Sequence, residues 1–389
     1  MQKRIYMDYA ATTPVDKAVL KEMENYWSRS FGNPGSIHKE GYEAKKAVEL
    51  SKQRIAKILG SKSEEIIFTS GGTESNNLVV QGLVKFLRKN SVPVPEMHFI
   101  SSVIEHSSVL RNMQELENMG AKVTYIGVDE KGLVNPEDIK KAITEKTVLI
   151  SICYANNEIG VIEPIQEITK IVKDYRIKSG RKDCFPFVHA DACQAPLYLD
   201  LNVEKLGVDY MTLDAQKMYG PKGVGCLYKK KGVFLDPVIV GGKQENDLRS
   251  GTENVPLLVG FAKALELAVA DKEKESSRLS GIRNHFINNL KTMFPKVVVN
   301  GSVDSRLPNN VNISYRGLDS EFAVLQLDSK GIACSTKSTC LKNDDFSYVV
   351  ASLYADKELA KSTLRFTFGR ETTKAHTDYL LSCLKKILK

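Results

Sequence analysis

The chain has 389 residues, of which 42% are hydrophobic and 26% are charged, as in a soluble globular protein of two or three domains. Its seven cysteines include no Cys-x-x-Cys pair, which argues against a disulfide framework and indicates reduced thiols in a cytoplasmic protein. The net charge of +8 is spread along the chain without aromatic-interleaved basic clusters, which favours anionic ligands or acidic partners over direct nucleic-acid binding. No apolar run is long enough for a signal core or a membrane span, so no membrane contact is expected.

Strand-like and helical patterns alternate over the first two thirds of the chain. From about residue 14 to residue 255 this alternation is typical of a mostly parallel sheet covered by helices on both faces. One long or broken helix is predicted over residues 256–294, and short strands mix with helices beyond it. We therefore expect an α/β fold with a large domain of residues 14–255 and a small α+β domain of residues 1–13 and 256–389.

A glycine turn separates the apolar run 66–68 from the helical pattern 78–87. In a strand–turn–helix arrangement the free N–H groups at the helix start point towards an anion, and the helix dipole favours negative charge there. Gly72 lies in this turn, and Thr73 can cap the helix and offer its hydroxyl to a phosphate. An ordinary helix cap would explain the same residues. The Gly-Lys-Ser/Thr ending of a nucleoside triphosphate loop is missing, which excludes that class of site.

Polar residues also follow two later strand-like runs. Asn156 and Asn157 come after the run 148–154, and Asp191 closes the run that begins at residue 185. A buried aspartate is costly unless it has a cationic partner. A protonated pyridine nitrogen would serve, and keeping it protonated would keep the ring an electron sink. A buried helix cap is the alternative.

A lysine stands at the end of a fourth strand-like run. Residues 208–213 lead into Asp214-Ala215-Gln216-Lys217 and then into a glycine-rich loop. Burial lowers the pKa of a lysine and makes its amine nucleophilic, as Schiff-base chemistry requires. A surface lysine that starts a loop is the alternative. We expect these four strand ends to meet at one crevice, where ligands bind in open α/β sheets.

A cysteine near the C-terminal end lies in a polar, turn-rich segment. Cys340 has Lys337 and Lys342 close by in sequence, and such cations lower the pKa of a thiol and favour the thiolate. An incidental surface thiol is the alternative. Cys334 lies in the same stretch, but no histidine is near, so a metal site is not expected.

These segments resemble the cysteine desulfurases of the NifS/IscS group, in the class V aminotransferase family of fold-type I pyridoxal phosphate enzymes. The resemblance runs in order through nearly the whole chain. It is carried by residues 6–14, 31–38, 69–77, 105–106, 156–161, 189–194, 217–223, 249–255, 331–340 and 364–366. It implies a mostly parallel, seven-stranded type of sheet flanked by helices, a homodimer, and conversion of L-cysteine to L-alanine. The sulfur would pass to an acceptor protein of iron–sulfur cluster assembly or tRNA thiolation.

The resemblance also implies a role for each residue around the cofactor ring. Lys217 would hold pyridoxal 5'-phosphate as a Schiff base and move protons afterwards. Asp191 would pair with the ring nitrogen, and His106 would stack on the ring and act in acid–base steps. Without the resemblance, His106 is better explained as a polar residue at a helix start. Asn157 and Gln194 would bind the region of the ring hydroxyl, and Asn157 would also contact the substrate.

Further residues are assigned in the same way. Gly72 and Thr73 would hold the phosphate, and Thr252 would reach it from the second subunit of the dimer. Arg365 would bind the substrate carboxylate with two parallel hydrogen bonds, for which arginine suits better than lysine. Cys340 would form the persulfide on a mobile loop and could transiently ligate an iron–sulfur cluster, whereas Cys334 falls at a small apolar position where packing is expected.

Three residues depart from the family pattern, which has serine or threonine at Asp214, histidine at Gln216 and glycine at Lys337. The first two positions normally help to hold the cofactor phosphate and ring, so weaker cofactor retention is expected. Three outcomes are open for Asp214: it turns away from the phosphate, a cation such as Lys222 lies between them, or cofactor affinity is poor. Two alternatives stay open: a selenocysteine lyase or other class V enzyme, and a non-catalytic scaffold.

Overall fold

The computed structural model describes residues 4–180, 185–337 and 345–388. The strands in this part of the chain are β1 (Ile5–Tyr6), β2 (Ile66–Thr69), β3 (His98–Ser102), β4 (Lys122–Ile126), β5 (Thr147–Cys153), β6 (Phe187–Asp191), β7 (Tyr210–Asp214), β8 (Gly225–Lys229), β9 (Val298–Val299), β10 (Asn310–Ser314), β11 (Ile332–Ala333) and β12 (Thr363–Thr367). The helices are α1 (Lys17–Ser28), α2 (Lys39–Leu59), α3 (Gly72–Lys89), α4 (Ser107–Asn118), α5 (Pro136–Ala142), α6 (Ile165–Ser179), α7 (Val203–Leu206), α8 (Val255–Met293), α9 (Ser320–Ser329), α10 (Tyr348–Tyr354), α11 (Lys357–Lys361) and α12 (Lys374–Ile387).

Seven strands form the central sheet, in the order β2-β8-β7-β6-β5-β3-β4. Only β8 runs against its neighbours, and every other pair is parallel, so the remaining strands all point the same way. This confirms the predicted α/β fold with a mostly parallel sheet. The carboxyl ends of β2, β5, β6 and β7 therefore lie at one edge of the sheet.

Helices cover both faces of this sheet. Neighbouring residues of a strand point to opposite faces, and Ile66 and Phe68 pack in one apolar cluster while Ile67 packs in the other. The first cluster includes α1, α2, α6 and the first half of α8, and the second includes α3 and α4. Because both faces are covered, burial does not alternate along the inner strands, and every residue of β5, β6 and β7 is buried.

Polar residues and glycines set the ends of several helices. Asn135, Asn202 and Asp319 precede α5, α7 and α9, and each accepts a hydrogen bond from a backbone N–H of the first turn. Gly60 and Gly180 follow α2 and α6 with φ values of 68° and 62°, a left-handed conformation that glycine adopts without strain. Within the described ranges, no helix combines the length and the apolar character that crossing a bilayer requires.

A smaller part of the molecule contains the antiparallel sheet β12-β10-β9 and the parallel pair β1-β11. Its apolar core includes Phe286, Val311 and Leu384. Helix α8 is unbroken and joins the two parts: Phe261 packs under the central sheet and Phe286 packs in the smaller core. The first half of this helix thus belongs to the packing of the large sheet, and the predicted division into 14–255 and 1–13 with 256–389 stays a prediction.

Candidate active site

A cavity of about 240 Å³ lies at the carboxyl edge of the central sheet. Its walls are Ala10, Ala11, Gly72, Thr73, Asn76, His106, Ser108, Cys153, Ala155, Asn157, Asp191, Cys193, Gln194, Asp214, Gln216, Lys217 and Arg365. The structure thus brings together every predicted site residue except two. Thr252 lines a separate, smaller cavity beside Ser70 and Arg249, and Cys340 lies outside the described residues.

Lys217 reaches the cavity from a short 3₁₀ turn that follows β7. Its side chain is half-buried, and Nζ donates hydrogen bonds to the carbonyl oxygens of Ala10 at 2.8 Å and Ala11 at 2.7 Å. The amide of Gln194 donates to the same Ala10 oxygen at 3.1 Å. The amine is therefore held between the strand end and the N-terminal segment, inside the cavity.

Asp191 ends β6 and is only 7% exposed. Its Oδ2 accepts a hydrogen bond from Asn76 Nδ2 at 2.8 Å, and its Oδ1 accepts one from the backbone N–H of Cys193 at 3.1 Å. Both donors are neutral, so a buried carboxylate here is suited to a further cationic partner in the cavity. Sequence analysis missed Asn76, although it lies within the segment 69–77 that carries part of the resemblance.

His106 lies one residue before α4 and both caps that helix and lines the cavity. Its Nδ1 accepts the backbone N–H of Ser108 at 3.2 Å and lies 2.8 Å from Ser108 Oγ. The Ser108 hydroxyl also accepts a hydrogen bond from Asn76 at 2.8 Å. A polar network therefore runs from His106 through Ser108 and Asn76 to Asp191, and it fixes the orientation of the imidazole beside the carboxylate.

Arg365 lies in β12, also lines the cavity and is 1% exposed. One terminal nitrogen forms an ion pair with Asp8 Oδ1 at 2.8 Å, and the other donates to the carbonyl oxygen of Asn157 at 3.0 Å. Its buried Nε has no hydrogen-bond partner among the described residues. Asp8 does not line the cavity, so it holds the guanidinium from behind. Sequence analysis missed this role of Asp8.

The backbone of Arg365 also meets the segment that leads to Cys340. Its N–H donates to Ser335 O at 2.6 Å, and the N–H of Ser335 donates back to Arg365 O at 3.2 Å. Cys334, just before, packs against the smaller apolar core, and burial raises the pKa of its thiol to about 12. Such a thiol is a poor nucleophile. Lys337 is the last described residue before the segment 338–344.

Asp214 ends β7, also lines the cavity and is 6% exposed. Its Oδ2 accepts the backbone N–H of Gly72 at 3.1 Å and the side-chain amide of Gln216 at 3.3 Å, while its Oδ1 accepts the backbone N–H of Gln216 at 3.1 Å. The carboxylate thus lies at the N-terminus of α3. Lys222 is exposed and does not line the cavity.

The prediction that Thr73 caps α3 is wrong. Helix α3 begins at Gly72, and the capping position is Gly71, which has no side chain to accept a hydrogen bond. Thr73 is the second residue of the helix and is exposed, although it still lines the cavity. The missing cap acceptor is supplied by Asp214, from a strand far away in sequence.

Comparison with known proteins gives a consistent result. A sequence profile of the family "Aminotransferase class-V" matches residues 5–380. The chain is similar to a cysteine desulfurase IscS of Dictyoglomus turgidum, with 44% identity over 389 residues that cover 100% of this chain and 95% of the relative. Among solved structures it is similar to a NifS-like protein, with a TM-score of 0.90 and 35% identity over 99% of both chains. It is also similar to SspA in complex with cysteine, with a TM-score of 0.79 and 32% identity over 94% of this chain and 98% of that one.

Proposed function

Because the chain belongs to the class V aminotransferase family, within its cysteine desulfurase group, we propose that it uses pyridoxal 5'-phosphate to convert L-cysteine to L-alanine. The sulfur is left as a persulfide on Cys340 for transfer to an acceptor protein. The observation that carries the proposal is the cavity in which Lys217, Asp191 and Arg365 lie together.

The residues present fit the cofactor at its ring. Asp191 is a buried carboxylate with two neutral donors, so a protonated ring nitrogen would complete its environment. Lys217 Nζ lines the same cavity and is available for a Schiff base. When bound, the cofactor supplies an electron sink for the substrate α-carbon. The phosphate end fits less well, because Asp214 lies where α3 begins.

The chain's own residues orient the substrate and move its protons. Arg365 binds the carboxylate of cysteine with a guanidinium that Asp8 and Asn157 hold in place. Lys217 Nζ takes and returns the proton at the α-carbon, and His106 is available for a second proton because its Nδ1 is fixed by Ser108.

Sulfur transfer requires a thiolate on the substrate side of the cavity. The Cys340 thiolate attacks the substrate Sγ, so that a sulfur–sulfur bond forms while the substrate Cβ–Sγ bond breaks. The balance is one L-cysteine and one enzyme thiol giving one L-alanine and one enzyme persulfide. Support comes from Ser335, whose pairing with Arg365 brings the start of this segment to the cavity.

We also propose a cytoplasmic homodimer with no direct nucleic-acid or membrane contact. Thr252 does not line the cavity of its own chain, as expected of a residue that completes the partner's phosphate site. Phe31, Ile37 and Val240 are 69%, 103% and 69% exposed, so large apolar side chains are available for an interface. Light scattering of the cofactor-loaded protein tests this, and an active monomer would contradict it.

The decisive experiment combines an absorption spectrum of the protein with an analysis of the products formed from L-cysteine. The purified protein with pyridoxal phosphate should show the absorption band of the lysine-bound cofactor, and L-cysteine should yield alanine and sulfide in the presence of a thiol reductant. Release of selenide from L-selenocysteine without activity on cysteine would assign a selenocysteine lyase. Failure to bind the cofactor would favour the alternative that the chain is a non-catalytic scaffold.

Two pairs of variants assign the residues. Lys217→Ala should lose the band completely, whereas Lys222→Ala should keep it, because only Lys217 lines the cavity. Cys340→Ser should keep the band but form no persulfide, whereas Cys334→Ser should stay active, because Cys334 packs against the smaller apolar core and burial raises the pKa of its thiol. An active Cys340→Ser enzyme with a labelled Cys334 would reverse the assignment of the thiols.

A further inference from the structure

The anion position at the start of α3 is filled by the chain itself. The Gly72 N–H is one of the donors that a helix N-terminus offers to an anion, and Asp214 Oδ2 accepts it at 3.1 Å. The side-chain amide of Gln216, which is the other unusual residue at this end, donates to the same oxygen at 3.3 Å. The two departures from the family pattern, Asp214 and Gln216, therefore contact each other as well as the start of α3.

We propose that Asp214 is a specificity-determining residue whose carboxylate competes with the cofactor phosphate for the N-terminus of α3. The site then draws little of its affinity from the phosphate and most from the lysine linkage and the ring contacts. The ligand class that it discriminates against is a pyridoxal compound with a doubly charged tail. This inference rests on the proposed function and goes beyond it, because it concerns which form of the cofactor the site prefers.

The packing around the carboxylate supports direct competition. Asp214 Oδ2 lies 3.1 Å from the Gly72 nitrogen. A Cβ built on Gly72 would lie 3.5 Å from the same oxygen and 2.6 Å from Cys193 Sγ, so there is little room beside this turn. The Gly72 N–H is a single donor, and a phosphate oxygen can take it only if the carboxylate leaves.

The cations around the turn would not offset the repulsion between the Asp214 carboxylate and a phosphate. Glu74, in the first turn of α3, accepts the backbone N–H of Ser70 at 2.8 Å and pairs with Arg249 at 3.0 Å, so the arginine already faces a carboxylate. Lys217 lines the same cavity, but in the proposed function its nitrogen is bonded to the cofactor. A phosphate monoester carries a charge of about −1.5 to −2 at pH 7, and unit charges about 4 Å apart interact strongly inside a protein.

The test compares two ligands that differ only at the tail. Dissociation constants for pyridoxal phosphate and for pyridoxal are measured from the absorption band of the lysine-bound form, for the natural chain and for Asp214→Asn. Asparagine keeps the shape of the side chain and removes the charge, and its neutral amide oxygen is a weaker acceptor that a phosphate can displace from the Gly72 N–H. We expect pyridoxal phosphate to bind at least about tenfold more tightly to the variant, which corresponds to about 1.4 kcal/mol, while the constant for pyridoxal changes by less than about twofold.

A second readout does not involve the lysine. Inorganic phosphate, added to the protein without cofactor, should raise the melting temperature of Asp214→Asn more than that of the natural chain. Asp214→Ser serves the same purpose if the asparagine variant folds poorly. Asp191→Asn is the matched control at the ring end and should weaken the binding of both pyridoxal compounds by the same factor, because both carry the same ring.

The possible results separate this inference from the proposed function. If both compounds bind but their affinity ratio is the same in the natural chain and the variants, Asp214 does not compete with the phosphate and the inference is overturned, while the proposed cofactor stands. If neither compound gives a band in any protein that retains Lys217, the proposed cofactor fails and the inference fails with it. A larger gain for pyridoxal than for pyridoxal phosphate would also overturn it.

Discussion

Two aspartates end neighbouring parallel strands of the central sheet, and their surroundings differ in kind. Asp191 ends β6 and Asp214 ends β7, and the two residues are 7% and 6% exposed. Asp191 accepts hydrogen bonds from Asn76 and from the N–H of Cys193, whereas Asp214 accepts the N–H of Gly72 at the positive end of a helix. Equal burial therefore does not imply an equal role.

Under the proposed function, the difference follows from what each carboxylate would meet when the cofactor binds. Asp191 faces the ring end, where a protonated nitrogen would add the cation that its neutral donors do not provide. Asp214 is already stabilised by the helix terminus and would meet a second anion there. Under the proposed function, Asp191 would thus favour the bound cofactor and Asp214 would oppose its phosphate. The predictions below test this contrast, beginning with the largest expected effect.

The largest effect is expected from removing the charge at the ring end. Asp191→Asn should lower kcat for alanine formation by roughly 10²–10³, the usual loss when one preorganised charge contact at a reacting group is removed. Asp214→Asn, the same chemical change one strand away, should alter kcat by less than about threefold at saturating cofactor. Steady-state rates of alanine formation measure both. Equal losses in the two variants would show that the ends of the cavity do not differ as described.

A third aspartate, the half-buried Asp8, extends the contrast to the substrate side of the proposed site. Asp8 has a cation of its own, because its carboxylate pairs with Arg365 at 2.8 Å. Arg365→Ala should raise KM for cysteine by roughly tenfold to a hundredfold, since a hydrogen bond to a charged group contributes about 1.5–3 kcal/mol. Asp8→Asn should raise KM by a smaller factor of about three to ten, because the guanidinium stays but is held less firmly.

For Arg365→Ala and Asp8→Asn, the absorption spectrum distinguishes a loss of substrate binding from a loss of folding. Both variants should keep the lysine-bound band of the cofactor, because neither residue belongs to the ring end. An unchanged KM in Asp8→Asn, together with a raised KM in Arg365→Ala, would show that Asn157 alone orients the guanidinium.

The sequence predicted the central sheet and most of the cavity for a clear reason. Apolar runs that end in polar residues mark the carboxyl ends of buried strands, and parallel strands place those ends at one edge. Lys217, Asp191 and Asn157 could be found in this way. The reversed direction of β8 could not, because the pattern of a buried strand does not depend on its direction.

The residues that sequence analysis missed act through contacts between distant segments. Asp8 is separated from Arg365 by 357 positions and Asn76 from Asp191 by 115, and no local pattern reports such pairs. The cap of α3 was misplaced for the same reason, since its acceptor comes from Asp214, 142 positions away from Gly72. The sequence did flag Asp214 as unusual, but only the fold shows which N–H group it accepts.

Two more buried carboxyl groups show how far burial changes the pKa of a carboxyl group that has no charged partner. Glu105 accepts hydrogen bonds from Ser102 and from the N–H of Cys153, and Glu163 accepts the N–H of Val134 at 3.0 Å. Each keeps one carboxyl oxygen without a hydrogen-bond partner among the described residues. Among the described residues, neither carboxyl group accepts an N–H from the first turn of a helix, as the Asp214 carboxylate does. Burial raises the pKa of both from 4.5 to about 8.

These shifts predict that stability falls as the pH rises from about 4.5 to about 8. Between about pH 4.5 and about pH 8 the folded chain holds protons on Glu105 and Glu163 that the unfolded chain has released, so the free energy of unfolding falls as the pH rises. Burial lowers the pKa of His98 and His189 from 6.5 to about 4, which acts in the opposite direction and fades as the pH rises above about 6.5. Between about pH 6.5 and about pH 8 the two carboxyl groups therefore contribute most of the change among these four groups.

Glu163→Gln should flatten the fall in melting temperature across that window, because each such group changes the free energy of unfolding by up to about 1.4 kcal/mol per pH unit. Glu163 does not line the cavity, so cofactor binding should be unaffected and can serve as the control for folding. Glu105→Gln should flatten the curve in the same way. If the melting temperature of Glu163→Gln falls as steeply as that of the natural chain, the carboxyl group already titrates near its ordinary value. Burial without a charged partner would then not suffice to keep a carboxyl neutral in this protein, and the contrast between Asp191 and Asp214 would need a different explanation from desolvation and local donors.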